Sequence, residues 1–293
     1  MISLLNLYNS IQNTYLTFSE KTIIIDNIRW SYLDNNKKNC PIIIIFHGLH
    51  DNKNITWYPI NKLLSQNYRI IIPDLIGHGN TKILDINEIN YNFTIKNQII
   101  NLHKFIHSID NIFNFHLLGH SMGSFLACYY TFNYPNDVIT ITIINIPLYY
   151  SNNNINYLYN YVLFPNTYNE LKSFINLTLY NKNSIIFNDL IIRLYGYTYI
   201  KPHIYKKIFD QIILDNIFNI ENLLYLIKKP VLIIWGKNDL ITNYNIINNL
   251  KNKLVNIQTI CLIDKCGHFP HYEYPDICAN YIFYHISSNS NIS

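Results

Sequence analysis

Six short runs of apolar residues constrain the fold of this chain more than any other feature of its sequence. They are rich in β-branched residues and do not alternate with polar ones: Pro41–Phe46, Tyr68–Pro73, Phe115–Gly119, Val138–Ile146, Pro230–Trp235 and Asn256–Ile263. Such runs are typical of strands buried on both faces. Longer amphipathic stretches accompany them: around Trp57–Gln66, Phe93–Ile109, Ser121–Tyr134, Asn243–Leu254 and Asp276–His285. This alternation predicts an α/β fold, with a mostly parallel central sheet of about eight strands and helices on both faces.

The start of the chain shows a different pattern. Two β-prone runs lie near Thr14–Phe18 and Ile28–Leu33, with Ser19–Lys21 between them and a second apolar patch at Ile23–Ile25. Short β-prone runs separated by a few polar residues are typical of antiparallel pairs. We therefore expect a hairpin or a meander before the first buried strand.

The alternation of strands and helices stops between Pro147 and about Leu226. No run in this segment resembles a buried strand, and aromatic residues are frequent there. We interpret the segment as a helical insertion, a cap, that the chain enters through the polar linker Ser151–Asn156. The predicted division is therefore a core of residues 1–146 and 227–293, interrupted by a helical cap of residues 147–226.

Charge and cysteine content exclude several classes of protein. The net charge is +4 and dispersed, which argues against nucleic-acid binding. The five cysteines are an odd number without the spacing of a disulfide framework, so we expect free thiols and a cytoplasmic location. The N-terminal stretch lacks a basic region and a cleavage site, and no apolar run approaches about 18 residues, so neither a signal peptide nor a membrane span is expected. The oligomeric state stays open.

The pentapeptide GHSMG, residues 119–123, lies where a predicted strand ends and a predicted helix begins. The chain has only 8 glycines, and two of them flank Ser121. Glycines at these positions let the strand and the helix approach closely, so the serine can occupy a strained turn and project from the sheet. The start of the helix there favours a developing negative charge. The pattern predicts Ser121 as a nucleophile.

A serine hydroxyl needs a base, and a histidine base needs a carboxylate to orient it. The chain has 11 histidines, so position must select among them. His268 follows the last predicted strand, and Asp239 follows the strand before it. Strand ends at one edge of a parallel sheet are where such folds place their sites. We therefore predict that Ser121, Asp239 and His268 meet.

Four motifs, in order along residues 41–275, resemble the α/β-hydrolase superfamily and specifically its small, cap-bearing serine hydrolases. The motifs are FHGLHDN, DLIGHGNT, GHSMGS, and WGKND followed by CGHFPHYEYP. The resemblance implies Ser121 as nucleophile, Asp239 as acid and His268 as base. It also implies an oxyanion hole formed by the backbone N–H groups of Leu49 and Met122. The chain departs from many relatives at Ser124, where they carry a glycine.

The resemblance further implies an acyl hydrolase without a metal or organic cofactor, acting on a small-molecule acyl ester. We expect a carboxylesterase or lipase-like enzyme first. Thioesterase, carbon–carbon bond hydrolase and acyltransferase activities stay open because they use the same three residues. A protein of this fold that binds a ligand with little turnover is the alternative from another class. We expect His120, Tyr149 and Tyr150 to contact the substrate and His47 to support the oxyanion loop.

Overall fold

The computed structural model describes residues 18–110, 112–148, 163–182, 201–213 and 219–289. The strands in these residues form one sheet: β1 (Ser19–Ile25), β2 (Ile28–Asp34), β3 (Ile42–Phe46), β4 (Arg69–Pro73), β5 (Lys82–Ile83), β6 (Phe115–His120), β7 (Val138–Ile144), β8 (Val231–Gly236) and β9 (Ile257–Ile263). Their order is β1-β2-β4-β3-β6-β7-β8-β9, and the two-residue strand β5 pairs with β2. Neighbours from β4 to β9 in this order are parallel. The predicted sheet is confirmed, since eight strands follow one another along this path.

The helices of the described residues surround this sheet: α1 (Tyr58–Leu64), α2 (Ile95–His107), α3 (Met122–Asn133), α4 (Tyr168–Thr178), α5 (Pro202–Ile212), α6 (Asn219–Leu224), α7 (Ile247–Lys253), α8 (Pro270–Glu273) and α9 (Pro275–Ser287). Two 3-10 helices, Glu88–Asn90 and Tyr244–Ile246, complete the set. Each amphipathic stretch predicted from the sequence coincides with one of the α-helices, which is slightly shorter than the stretch in four cases and, for α9, slightly longer. Helices and strands alternate through the core, as an α/β fold requires.

Two hydrophobic clusters, one on each face of the sheet, explain the unbroken apolar runs. In β3, Ile44 and Phe46 belong to one cluster together with residues of α2 and α3. Ile43 and Ile45 belong to the other cluster together with residues of α1 and α9. Because successive side chains of a strand point to opposite faces, a strand with helices on both faces must be apolar at every position.

The predicted N-terminal hairpin is present, but its first strand lies later in the chain than expected. β1 and β2 pair antiparallel from Ser19 opposite Asp34 to Ile25 opposite Ile28. The sequence placed the first strand near Thr14–Phe18, of which only Phe18 lies within the described residues, outside any strand. Residues 14–17 lie outside the described part of the chain, but Ser19–Lys21, expected between two runs, belong to β1. The sequence did not show this because all residues of this edge strand are exposed or only partly buried, so polar residues are tolerated there.

The described residues between 147 and 226 contain helices α4, α5 and α6 and no strand. Helix α4 begins with a capping box, because the Thr167 hydroxyl accepts from the Glu170 N–H and the Glu170 carboxylate accepts from the Thr167 N–H. These helices lie in the segment that we interpreted from the sequence as a helical cap. The predicted linker Ser151–Asn156 lies outside the described residues.

All five cysteines lie within the described residues, and none of them is in a disulfide there. Four of them are buried: Cys128, Cys261, Cys266 and Cys278. Burial raises the pKa of the Cys261 thiol to about 11, so this side chain behaves as a small apolar residue. Across the described part of the chain, the helices are all too short or too polar to cross a membrane.

Candidate active site

Ser121 occupies a strained turn between β6 and α3. Its φ of 51° and ψ of −121° are unusual for a residue with a side chain, and its own N–H donates to the Ile144 carbonyl at 2.8 Å. The two flanking glycines are necessary there. A Cβ on Gly119 would lie 2.4 Å from the Gly123 carbonyl oxygen, and a Cβ on Gly123 would lie 2.0 Å from the Phe46 carbonyl oxygen. The turn therefore has the shape predicted from the GHSMG motif.

Ser124, where the sequence departs from many relatives, links the turn to strand β7. Its hydroxyl oxygen lies 2.5 Å from the Gly119 carbonyl oxygen and 2.9 Å from the Ile144 carbonyl oxygen. The same oxygen accepts a hydrogen bond from the Ile144 N–H at 3.0 Å. The serine therefore fills the position of the missing glycine and adds hydrogen bonds that a glycine cannot make.

The predicted acid and base lie in contact. Nδ1 of His268 is 2.7 Å from Oδ2 of Asp239, and both side chains are buried. The ionised carboxylate can only accept, so the proton of the neutral imidazole is on Nδ1. Nε2 of His268 therefore carries the lone pair that a general base requires.

Asp239 is held by four further hydrogen bonds. Its Oδ1 accepts from the N–H groups of Ile241 at 2.8 Å and Thr242 at 3.0 Å. Its Oδ2 accepts from the Thr242 hydroxyl at 2.5 Å and from the side-chain amide of Asn145. Burial alone would raise the pKa of Asp239, but the neighbouring His268 and these hydrogen bonds outweigh burial and lower it. The carboxylate therefore stays charged beside the imidazole.

Two other positions where an acid could have been placed are accounted for by the structure. Asn145 follows strand β7, and its amide donates to Asp239. Asp264 follows strand β9, but its side chain is 77% exposed and pairs with Lys237 at 2.8 Å. Of these three residues at strand ends, Asp239 is the one whose carboxylate contacts the His268 ring.

The oxyanion loop after β3 is oriented by His47. Nε2 of His47 accepts from the Leu75 N–H at 3.0 Å, so Nδ1 carries the proton and donates to the Gly48 carbonyl at 2.8 Å. In a trans peptide the carbonyl oxygen and the following N–H point in opposite directions. The bond to Gly48 therefore turns the Leu49 N–H away from His47. Burial lowers the pKa of His47 to about 3, so the ring stays neutral and keeps this role at physiological pH.

Ser121, His268, Leu49 and Met122 line one pocket with a volume of about 40 Å³. The expected nucleophile, the base and the two residues of the expected oxyanion hole are thus brought together. Most of the remaining lining is apolar, and part of it comes from the segment between residues 147 and 226: Leu163, Phe174, Phe209 and Ile213.

His120 lines the pocket and also contacts the base. Its Nε2–H donates to the backbone oxygen of His268 at 2.7 Å, and its side chain is buried. This bond was not predicted, because the sequence indicated only a substrate contact for His120. Tyr149 and Tyr150, the other two predicted substrate contacts, lie outside the described residues.

The loop that carries His268 is tied to the end of helix α4. The His268 N–H donates to the Thr178 carbonyl at 2.6 Å. The Glu273 carboxylate accepts from the N–H groups of Gly267 at 2.7 Å, Tyr180 at 2.9 Å and Asn181 at 2.8 Å. Sequence reasoning missed this connection. Glu273 stands in a recognised motif, but the partners after helix α4 use backbone groups, which leave no signal in the sequence.

Comparison with known proteins finds relatives of both the sequence and the fold. A family model described as the alpha/beta hydrolase fold matches residues 41–275. Human monoacylglycerol lipase ABHD6 is 27% identical over 271 residues, covering 86% of this chain and 77% of its own length. Lipase 1 of Psychrobacter immobilis is 24% identical, covering 85% of this chain and 78% of its own. The crystal structure of a putative lipase from Acinetobacter baumannii AYE superposes with a TM-score of 0.86 at 23% identity, covering 98% and 97% of the two chains, which shows a shared fold.

Proposed function

The chain belongs to the α/β-hydrolase family, and on that premise we propose that it cleaves carboxylic esters with Ser121 as nucleophile, His268 as base and Asp239 as acid. One observation carries the proposal. A serine held at a φ of 51° lines the same pocket as a histidine whose Nδ1 lies 2.7 Å from a buried carboxylate. Relatives named lipase and monoacylglycerol lipase support ester bonds as the target.

Acylation begins when Nε2 of His268 removes the proton of Ser121 as its oxygen attacks the ester carbonyl carbon. The N–H groups of Leu49 and Met122 then stabilise the oxyanion, each by about 3–4 kcal/mol as measured for such donors elsewhere. The charged Asp239 stabilises the imidazolium that forms. His268 next gives its proton to the leaving alkoxide, which departs as the alcohol and leaves an acyl-enzyme on Ser121.

Deacylation repeats these steps with water. Nε2 of His268 takes a proton from the water molecule, whose oxygen attacks the acyl carbon. When the intermediate collapses, His268 returns the proton to the Ser121 oxygen, and the carboxylic acid is released. The chemistry is therefore complete with protein groups and water alone.

The lining of the pocket supports an ester with an apolar acyl group as substrate. Leu163, Phe174, Phe209 and Ile213 face it, and burial of an acyl chain contributes about 0.8 kcal/mol per CH₂. We infer that residues 147–226 act as the cap over this pocket and that monoacylglycerols, the substrate in the name of the relative ABHD6, are suitable esters. A dry, apolar roof would also strengthen the oxyanion contacts.

The variant Ser121→Ala tests the proposal. We expect it to fold normally and to lose about 10⁴-fold or more in kcat on p-nitrophenyl esters and on monoacylglycerol. A fluorophosphonate probe should label the wild type and not the variant. Acyl thioesters and a vinylogous diketone, assayed in parallel, separate the thioesterase and carbon–carbon hydrolase alternatives. Turnover that survives in the variant would contradict the role of Ser121, and a wild type without turnover or labelling would favour the ligand-binding alternative.

A further inference from the structure

Two histidines and an aspartate form a cluster at the edge of the sheet opposite the candidate active site. His103 and His107 lie one helical turn apart at the end of α2, so both side chains project from the same face. Nδ1 of His103 is 3.1 Å and Nε2 of His107 is 2.9 Å from the same oxygen, Oδ2 of Asp137. Asp137 immediately precedes β7, whereas the active-site residues follow the carboxyl ends of the strands.

These distances are close to those of a metal site. One ligand atom from each of the three residues lies within 4.8 Å of the others. Ligand atoms of a tetrahedral zinc ion, each about 2.0–2.1 Å from the metal, lie about 3.3 Å from one another. The two nitrogen–oxygen distances therefore need to open by only a few tenths of an ångström. We propose that His103, His107 and Asp137 bind a divalent transition-metal ion of the zinc type, with water completing the coordination.

Neighbouring aromatic residues hold the proposed ligands in place. The Tyr130 hydroxyl donates to Oδ2 of Asp137 at 2.8 Å, as the carboxylates of metal sites commonly accept a further hydrogen bond. The Tyr134 ring stacks on His103 with centroids 3.7 Å apart and an interplanar angle of 5°. The backbone of Asp137 is fixed as well, because its carbonyl accepts from the Phe115 N–H at 2.9 Å.

The cluster is open to ions from solvent. The side chains of His103 and His107 are 31% and 19% exposed, and that of Asp137 is 10% exposed. The ligands come from the end of helix α2 and from the turn between α3 and β7, so a bound ion would tie these two segments together. The site is separate from the proposed ester chemistry, and the sequence did not predict it because Asp137 lies 30 residues beyond His107.

A second cluster, Asp51, His120 and His271, also brings three possible ligands within 4.8 Å of one another. All three residues are buried, and the Thr56 hydroxyl contacts both the Asp51 carboxylate and Nε2 of His271. An ion would have to break these bonds, and two of its ligands, Asp51 and His120, line the candidate active-site pocket already described. The observations therefore favour the partly exposed cluster of His103, His107 and Asp137. Binding at the buried cluster becomes an outcome of the test.

Calorimetric titration of ZnCl₂ into the chelator-treated full chain tests the proposal. We expect one equivalent to bind the wild type and to raise its Tm, since a ligand that binds only the folded state stabilises it. The variants His103→Asn and His107→Gln place an amide nitrogen near the lost ring nitrogen, so each can still donate to Asp137. Each should weaken zinc binding by more than about tenfold. His203→Gln, at an exposed histidine on α5, should bind as the wild type does.

Ester hydrolysis in these variants should equal that of the wild type, so the outcome does not depend on the proposed function. A wild type that binds no zinc overturns the proposal. Equal binding in all variants overturns it too and directs attention to the buried cluster. If the two ligand variants fail to fold, an anomalous difference map at the zinc edge, from zinc-soaked wild-type crystals, tests the site instead. A peak among His103, His107 and Asp137 supports the proposal. A peak elsewhere, or no peak, rejects it.

Discussion

At the scale of single residues, Asp239 is distinguished by the number of donors that converge on it. Five hydrogen bonds reach its two oxygens, and three of them, from His268, Asn145 and Thr242, end on Oδ2. An amide cannot replace this carboxylate, since whichever way it is turned its NH₂ group faces other donors. The chemistry proposed for His268 therefore depends on a charged, acceptor-only group at this position.

The variant Asp239→Asn should lower kcat by roughly 10⁴-fold, because the amide favours the wrong tautomer of His268. Steady-state kinetics with a p-nitrophenyl ester measures the loss. Asp264→Asn is the matched control, since that side chain is exposed and pairs only with Lys237 among the described residues. A greater loss in the control than in Asp239→Asn would remove Asp239 from the mechanism.

Asp51, in the oxyanion loop, should make stability depend on pH. Burial raises the pKa of its carboxyl from 3.8 to about 7, although bonds from Thr56 and Asn52 oppose the change. Between about pH 4 and pH 7 the folded protein therefore keeps a proton on Asp51 that the unfolded chain has released, so the contribution of Asp51 to stability falls as the pH rises through this window. Burial keeps the pKa of His271 at about 3 and that of His120 well below its usual value, so neither ring gains charge there.

Urea unfolding at pH 5 and pH 8 checks this expectation. From pH 5 to pH 8 the free energy of unfolding of the wild type should decrease relative to that of Asp51→Asn, which lacks the titrating group. Ser121→Ala, which changes no ionisable residue, serves as the control and should follow the wild type. If the free energy of unfolding changes equally between pH 5 and pH 8 in the wild type and in Asp51→Asn, then Asp51 ionises normally in the folded state.

At the scale of elements, the position of the loop that carries His268 (the base loop) depends on helix α4. The Thr178 carbonyl at the end of α4 accepts a hydrogen bond from the His268 N–H. The Glu273 carboxylate accepts hydrogen bonds from the N–H groups of Gly267, Tyr180 and Asn181. A Cβ on Gly267 would lie 2.4 Å from the Thr178 carbonyl oxygen, so the contact between the loop and the helix is close. Movement of α4 is therefore coupled to the position of the imidazole.

The variant Glu273→Gln should lower kcat more than it changes KM, because its single oxygen cannot satisfy three N–H groups and the base loop loses its anchor. We expect a loss of about 1 kcal/mol in the free energy of unfolding as well, because the bonds from Tyr180 and Asn181 are exposed and only the bond from Gly267 is partly buried. Glu170→Ala removes the capping box at the start of the same helix without touching the loop that carries His268, so it should lose stability and keep kcat. Equal effects on kcat in the two variants would contradict a positioning role for Glu273.

The same elements explain which parts of the fold the sequence could reveal. Strands such as β3 were predicted because both of their faces are buried, so every position must be apolar. Strand β1 was placed too early because, as an edge strand, it is open to solvent and needs no such pattern. Ser121, Asp239 and His268 were found from motifs at strand ends, whereas the anchoring by Thr178 was not, since a backbone carbonyl can belong to any residue.

At the scale of the whole molecule, the pocket is lined both by residues at the ends of the strands and by residues of the segment proposed as the cap. Ser121 and His268 come from the core, and Phe174 and Phe209 reach the same pocket from the insertion. If these aromatic residues set the length of the acyl chain that fits, kcat/KM should rise from acetyl to butyryl or hexanoyl esters and then fall. Each methylene that fits contributes about 0.8 kcal/mol, close to a fourfold change in binding.

The variant Phe174→Ala should therefore move the optimum to longer acyl chains, because it opens space in the pocket next to the scissile bond. Truncation of a buried phenylalanine also costs about 3–5 kcal/mol of stability, so a control with a similar loss is necessary. Leu171→Ala provides it, since Leu171 is buried on the same helix and does not line the pocket. Profiles of kcat/KM against chain length, with Tm for each variant, separate the two effects. If both variants lose stability and keep the wild-type optimum, the aromatic residues of the insertion serve packing alone, and the acyl preference must be set by the core.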